Sequence, residues 1–333
     1  MPENSRPAHV IGIDLGGTKV AGAVVRRDGA IVHRQVESLD GRTGTDVGRL
    51  IAGMVRALAR EAGPQRCEAV GVCVPGISWS ESGRVWAPNI PGWEDYPLRD
   101  ELLGLFEDRR PVVSVDSDRA CSVLGELWKG AARGCSHAVF LAVGTGIGAG
   151  IVVDGKVVRG ANDIAGATGW MALERPFREE YVSCGCFEYQ ASGAGLARVA
   201  RDYLRERRDY RGELRRLDPD AITAREVFAA YDRHDPLAED VLRNAISFWG
   251  MAAANFVSLF NPEVVIFGGG VFGPAVRLLP DIAAEARRWG QPLSMRSVRF
   301  VASSLGSDAA LYGAARLALQ SLPQHDTPNR PTP

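Results

Sequence analysis

No uninterrupted apolar run in this 333-residue chain reaches the roughly 18 residues that a membrane span needs. Even the stretch from Val264 to Val271 is short and glycine-rich. No leader is expected either: Met1 to Pro7 is polar, and Val10 to Ile13 is far shorter than the apolar core of a signal peptide. Nothing here directs export or membrane binding, so a cytoplasmic protein is expected. Cysteine is sparse. Six thiols (Cys67, Cys73, Cys121, Cys135, Cys184 and Cys186) are scattered too widely to staple so long a chain, and reduced residues, mostly in the core, are expected. An excess of one charge sign is absent as well. The net charge is -1 and no face-sized block of uncompensated Lys or Arg occurs, which excludes a large nucleic-acid footprint and leaves a small molecule as the default ligand.

What is present is enough chain for two domains of about 100 to 200 residues each, with a cleft where they meet. The first strong pattern runs from His9 to Val25. Val10, Ile11 and Ile13 lead into Gly16-Gly17 and then a second apolar run, which reads as strand, tight turn, strand. Asp28-Gly29 is a hairpin turn into Ala30 to Val32. From Asp46 to Glu61 the residues Val47, Leu50, Ile51, Met54, Val55 and Leu58 fall at helical spacing, followed by a strand over Ala69 to Val74 and the break Pro75-Gly76.

The opening pattern returns roughly 130 residues later. Ala138 to Val143 leads into Gly144-Thr145-Gly146-Ile147-Gly148, then Ala149 to Val153 and the turn Asp154-Gly155. The chain therefore reads as an internal duplication, each copy presenting one glycine-cornered hairpin suited to clamping a polyphosphate. Beyond Ser192 helical spacing dominates. The arginine- and acid-rich segment Arg201 to Asp220 reads as a solvated helix and loop. Ala238 to Leu259 reads as a helix ended by Pro262, Val264 to Phe267 as a buried strand, and Ala275 to Trp289 as a further helix. The Pro-rich end of the chain is expected to be disordered.

Three glycine loops can carry chemistry. In Gly12-Ile13-Asp14-Leu15-Gly16-Gly17-Thr18-Lys19 a strand ends at an acid followed by glycines and a hydroxyl residue. Glycines let backbone amides approach an anion, and Asp14 can hold a hydrated magnesium ion by one carboxylate. Thr18 stands where a Walker A lysine would be, so this is a different loop. Gly144 to Gly148 with Thr145 is the second loop, and Gly268-Gly269-Gly270, where a helix starts, can hold a nucleoside. Each alone also reads as ordinary turn or sheet-bend glycine.

Together and in this order the loops resemble the phosphate 1, phosphate 2 and adenosine motifs of the actin-like ATPase superfamily. A closer resemblance, over roughly residues 9 to 320, is to the ROK family of sugar kinases and repressors. It is carried by Ile11 to Ala23, Val74 to Gly76, Pro88-Asn89-Ile90-Pro91-Gly92-Trp93, Val115 to Glu126, Val143 to Gly155, Cys186 to Gly193, Asn261 to Gly270 and Ser307 to Ala315. The resemblance implies an α/β, two-lobed, ribonuclease H-like fold with duplicated mixed sheets flanked by helices. The N-terminal lobe is expected over residues 8–128, the C-terminal lobe over 129–319 and a tail over 320–333.

It also implies an ATP-dependent kinase that phosphorylates a sugar hydroxyl in a homodimer. The catalytic carboxylate maps by counting back from Glu126 onto Asp118 in Ser117-Asp118-Arg119-Ala120, with Asp116 the nearest competitor and a helix N-cap the plain alternative. Phosphates are expected at Gly16, Gly17, Thr18 and Lys19 and at Gly144, Thr145, Gly146 and Gly148. The nucleoside is expected at Gly268, Gly269 and Gly270, and Mg2+ near Asp14 through water. Gly76, Asn89, Ser117, Trp170 and Glu188 join Asp118 in the expected sugar site.

The chain departs from the family at two places. Ala165-Gly166-Ala167-Thr168-Gly169-Trp170 lacks the glutamate and histidine usual at Ala167 and Trp170. Of the family's zinc cysteines only Cys186 remains in place, with Glu179 and Tyr181 at the first two positions and Cys184 extra. No structural zinc is expected. The altered face leaves the sugar open, glucose or an amino sugar such as kanosamine. A DNA-binding repressor is disfavoured because 13 residues precede Asp14. A catalytically silent sugar-binding relative is the remaining alternative, opposed by the retention of Asp14, Thr18, Asp118 and all three loops.

Overall fold

A computed structural model describes residues 9–63, 67–106 and 111–323, in two compact units. The first comprises the described residues up to Lys129 and those from Asp308 onward; the second is Gly130–Ser307.

The first unit opens with an antiparallel meander, β1 (His9–Leu15), β2 (Lys19–Arg26) and β3 (Ile31–Ser38), followed by α1 (Gly44–Ala62) and β4 (Cys67–Val74). The short hairpin β5 (Ile77–Ser78) and β6 (Val85–Trp86), then α2 (Leu98–Leu103), β7 (Val112–Ser117) and α3 (Asp118–Lys129), complete this half. The sheet order is β3-β2-β1-β4-β7, with β4 parallel to β1 and β7 parallel to β4. Val47, Ile51, Met54, Val55 and Leu58 of α1 are buried in one cluster with Ile11 and Ile13, as their spacing of three and four requires. Gly63, at φ 84°, ends the helix.

The second unit repeats the plan. β8 (Ala138–Val143), β9 (Ile147–Val153) and β10 (Lys156–Val157) form the meander. Helices α4 (Cys186–Ala191), α5 (Gly193–Glu206), α6 (Ala224–Tyr231) and α7 (Pro236–Phe260) precede β11 (Val264–Gly268), and α8 (Leu279–Trp289) and α9 (Pro292–Ser297) precede β12 (Arg299–Ala302). The order is β10-β9-β8-β11-β12, again with the inner strands parallel. Asp235 caps α7 by accepting from the Leu237 and Ala238 amides at 3.0 and 3.1 Å, and Asn261 ends it at φ 42°. One face of α7, including Leu237, Val241, Phe248, Trp249 and Phe256, fills the core.

Helix α10 (Ala309–Ser321) corrects the expected boundary of the C-terminal lobe at residue 319. It packs in the first unit, on α3, β1 and β4. Glycines make that approach possible: a Cβ at Gly71 would lie 1.9 Å from Ala314 O, one at Gly125 2.1 Å from Ala309 O, and one at Gly313 1.7 Å from Cys121 O. Val10, Ala23 and Ala69 meet Leu311, Ala315 and Ala318 on this side, while Ile11 and Ile13 face α1, so β1 is buried on both faces. The expected tail also starts too early, because α10 continues to Ser321; residues 324–333 lie outside the described residues. The strand expected to stop at Val32 runs on to Ser38, where alternate residues of β3 are exposed. The helix expected from Ala275 begins as a 3-10 turn, Pro274–Leu278.

Candidate active site

In the first unit, Asp14 is the penultimate residue of β1, in register with Cys73 of β4, which is itself in register with Asp116 of β7. The corner after it closes through the Gly16 amide, which donates to Lys19 O at 2.9 Å, and leaves Gly17, Thr18 and Lys19 exposed. Burial pushes the Asp14 carboxyl up to about 6; the Cys73 thiol donates to it and holds it down, Asp118 raises it further, and Lys19 and Asp308 add smaller opposing effects.

Where β7 runs directly into α3, the chain places three polar side chains in succession. Asp116 is buried and accepts from the Ser117 amide at 2.8 Å. Ser117 Oγ accepts from the Ala120 amide at 3.3 Å and so caps the helix. Asp118 Oδ1 accepts from the Arg119 amide at 2.8 Å. Burial raises the Asp118 carboxyl, against the charge and amide of Arg119. The charge of Asp118 acts on Asp14. Asn89 is exposed on the turn after β6, where the Ile90 amide donates to Ala87 O. Gly76 lies against β6; a Cβ there would come 2.0 Å from Trp86 O, so it is required for packing.

A half-buried carboxyl held up by burial and by a neighbouring acid suits a hydrated divalent cation, which relieves both penalties. The donor set, one carboxylate beside an exposed glycine corner, is also what Mg2+ uses when phosphates and water complete its shell. Among the described residues no group of three or more His, Cys, Asp or Glu is gathered around a common metal position.

In the second unit the corner after β8 closes in the same way, Gly144 N donating to Gly146 O at 2.9 Å. Gly144 O accepts from the Gly193 amide at 2.8 Å, which ties the corner to the start of α5, capped by Ser192. Gly148 lies within β9, buried and opposite Ala142, and so is away from the turn itself. Glu188, in the first turn of α4, folds under the corner. It accepts from the Ile147 amide at 2.7 Å, and burial raises its carboxyl. Trp170 ends a 3-10 turn, Thr168–Trp170, and is 59% exposed.

A cavity of about 900 Å³ adjoins this corner. Thr145 and Gly270 line it, as do Arg198, Arg201, Arg225 and Phe228, four residues that sequence reasoning did not single out. Arg201 was expected on a solvated arm. It instead donates to Pro219 O and Ile222 O and so fixes the loop that leads to α6. A sequence signal for that wall existed: Thr223 and Glu226 form a capping box, a Thr-x-x-Glu spacing that marks where α6 starts. Of the three expected nucleoside glycines, Gly270 lines the cavity and Gly269 is exposed at φ 87°. Gly268 is buried, with space for a Cβ blocked 2.3 Å away by the Phe140 ring, so its role is packing. Cys184 accepts from Arg198 at 3.1 Å, Cys186 is buried, and all six cysteines are free thiols.

Two half-folds of the same strand order, each with a glycine corner at the tip of its inner hairpin, define an actin-like ATPase fold. The ROK family profile matches residues 10–321, and the chain belongs to the ROK family. It is 32% identical to a glucokinase of Halalkalibacterium halodurans, over 93% of this chain and 94% of that one. Among solved structures, a ROK hexokinase from Thermus thermophilus aligns with a TM-score of 0.76 at 31% identity, covering 94% of this chain and 98% of the other. A ROK family glucokinase from Streptomyces griseus, solved in complex with glucose and AMPPNP, aligns with a TM-score of 0.71 at 29% identity, over 94% and 100%. No helix among the described residues is long and apolar enough to cross a membrane.

Proposed function

We propose that this ROK family sugar kinase transfers the terminal phosphate of ATP to the 6-hydroxyl of a hexose, glucose or an amino hexose of the kanosamine type. One observation carries the reading: β7, which runs directly into Asp118 at the head of α3, lies in one sheet with β1, Asp116 in register with Cys73 and Cys73 with Asp14, so a base and a phosphate-side acid share one end of that sheet. Phosphoryl transfer asks for little more than that, since positioning and charge do most of the catalysis.

In this mechanism Asp118 accepts the proton of the 6-hydroxyl as its oxygen attacks the terminal phosphorus and the bond to the ADP oxygen breaks. The backbone of Gly16, Gly17, Thr18 and Lys19 and that of Gly144, Thr145 and Gly146 receive the phosphates. Asn89, Ser117 and Glu188 hold the remaining sugar hydroxyls, and the nucleoside occupies the cavity lined by Gly270 and Phe228. Asp14 would hold Mg2+ through water, and the ion would supply charge neutralisation at the phosphates. We place the enzyme in the cytoplasm as a homodimer, which light scattering on the purified chain checks.

The test is ADP release with Mg2+ against a panel of hexoses and amino hexoses. Asp118→Asn is expected to cut turnover by roughly 100-fold or more while leaving binding of an ATP analogue nearly intact. Unchanged turnover moves the base to Asp116 or elsewhere. The replacement of the family glutamate and histidine by Ala167 and Trp170 favours a second reading, a silent sugar-binding relative. That reading gains if a folded preparation turns over no sugar.

A further inference from the structure

The cavity beside the second corner holds charge that the scheme above leaves without a task. Three arginines line it, Arg198, Arg201 and Arg225. Arg201 is spent on the loop carbonyls of Pro219 and Ile222, and Arg225 stands exposed at the start of α6. Arg198 is half-buried, and its bonds place it against the glycine corner. Helix α5 is tied to that corner by its first residues: the Gly193 amide donates to Gly144 O at 2.8 Å and the Ala194 amide to Thr145 O at 3.4 Å. One turn further on, Arg198 reaches back, its Nε donating to Ala194 O at 3.3 Å, so the side chain runs along the helix toward the turn that carries Thr145.

One further bond and one ring hold it there. Nη1 donates to Cys184 Sγ at 3.1 Å, and the guanidinium carbon lies 4.9 Å from the centre of the Tyr189 ring. None of these partners is a carboxylate, and among the described residues Arg198 makes no ion pair. Glu188 feels its charge, but that carboxylate is bonded to the Ile147 amide. Of the five N–H groups of a guanidinium, one on Nε and one on Nη1 are engaged, which leaves three at the edge of the plane with no acceptor among the described residues. A cation drawn half out of water, held in one place and given no counter-charge, is unfavourable until an anion completes it. In a cavity walled by Thr145 and Gly270 the anion to expect is a phosphate group, whose oxygens match a fork of N–H donors.

We propose that Arg198 is the phosphate-binding side chain of the second corner, donating to the phosphates of the nucleotide beside the backbone of Gly144 and Thr145, with Cys184 and Tyr189 as the residues that hold its guanidinium in position. The inference rests on the nucleotide occupying this cavity. The experiment measures equilibrium binding of ADP and of adenosine, with Mg2+, to the purified full chain and to Arg198→Met and Arg198→Lys. Arg198→Met is expected to weaken ADP roughly 10- to 100-fold, the range of a charge-assisted hydrogen bond, and to leave adenosine within about 2-fold. Arg198→Lys, which keeps the charge and gives up the fork, should recover most of the ADP affinity. ADP and adenosine weakened by the same factor mean that Arg198 only shapes the cavity, and overturn the proposal. So does ADP bound equally by the parent and Arg198→Met, or a Lys variant no better than the Met variant; Arg198→Gln serves the same comparison if Arg198→Met does not fold. Cys184→Ala should weaken ADP by a smaller factor, about 3-fold, and have no effect in the Arg198→Met background, and a loss that persists there overturns the positioning role of Cys184. If the parent binds no adenine nucleotide, the nucleotide reading fails separately and inorganic tripolyphosphate becomes the probe: binding that Arg198→Met abolishes supports the phosphate contact, and equal or absent binding overturns it.

Discussion

The corner between β1 and β2 and the corner between β8 and β9 are built alike, each a tight antiparallel turn continued on the inner side by parallel strands. They differ in what stands beneath the turn. The penultimate residue of β1 is Asp14, whereas the same place in β8 is Ala142. Under the second corner the acid comes instead from another element, Glu188 of α4, and it is already bonded to the Ile147 amide. The two units keep one backbone plan at the corner and part in the side chains beneath it, the first drawing its acid from the strand itself and the second from a helix.

That division can be broken at four places. Gly71→Ala should cost the most, at least about 3 kcal/mol, because its Cβ would run into Ala314 O of α10 rather than into a movable side chain. Thermal or urea unfolding reads it, and a loss below about 1 kcal/mol would show that α10 adjusts freely.

Asp14→Asn comes next and has the opposite sign. A folded-state carboxyl raised from 3.8 to about 6 means the folded chain keeps a proton that the unfolded chain has released, so rising pH costs stability through that interval. The variant escapes the penalty. It should be more stable than the parent by on the order of 2 kcal/mol above about pH 7 and no different below about pH 4, while losing turnover. Equal melting temperatures at pH 7.5 would mean that Asp14 sits in water more than its neighbours imply.

Gly146→Ala sharpens the second corner. The new methyl would lie 2.6 Å from Glu188 Oε2, so the carboxylate must shift. Steady-state kinetics should show sugar KM raised about 10-fold with kcat within about 3-fold; an unmoved KM removes Glu188 from the sugar site. Gly17→Ala gives the smallest stability change, under about 1 kcal/mol, because nothing lies within 4 Å of the added methyl. Its effect belongs in the KM for ATP, and a KM equal to the parent's would clear the first corner of any phosphate contact.

The duplicated hairpins and α1 were legible because the evidence for them is local: glycine pairs, Asp-Gly turns and apolar residues at fixed spacing. Helix α10 was not singled out as a helix, and its segment was assigned to the C-terminal lobe. Its allegiance is written in Gly71, Gly125 and Gly313, distant in sequence and meaningless singly. The site divides the same way. Asp14 and the residues after it sit in one dense motif, whereas the wall formed by Arg198, Arg201 and Phe228 is drawn from α5, α6 and the loop between them. Gly268 shows a further limit, since a run of three glycines does not reveal which of them faces an aromatic ring.

The return of α10 also orders events during synthesis. The elements that carry Asp14 and Asp118 leave the ribosome before the Gly130–Ser307 unit, and the helix that closes one face of their sheet follows that unit. The intervening unit, Gly130–Ser307, has all its strands available beforehand and can settle first. A nascent chain halted before Ala309 would therefore expose the unsheltered side of β1 and β4, where Val10, Ala23 and Ala69 wait for Leu311 and Ala315, and would be a natural client for a chaperone.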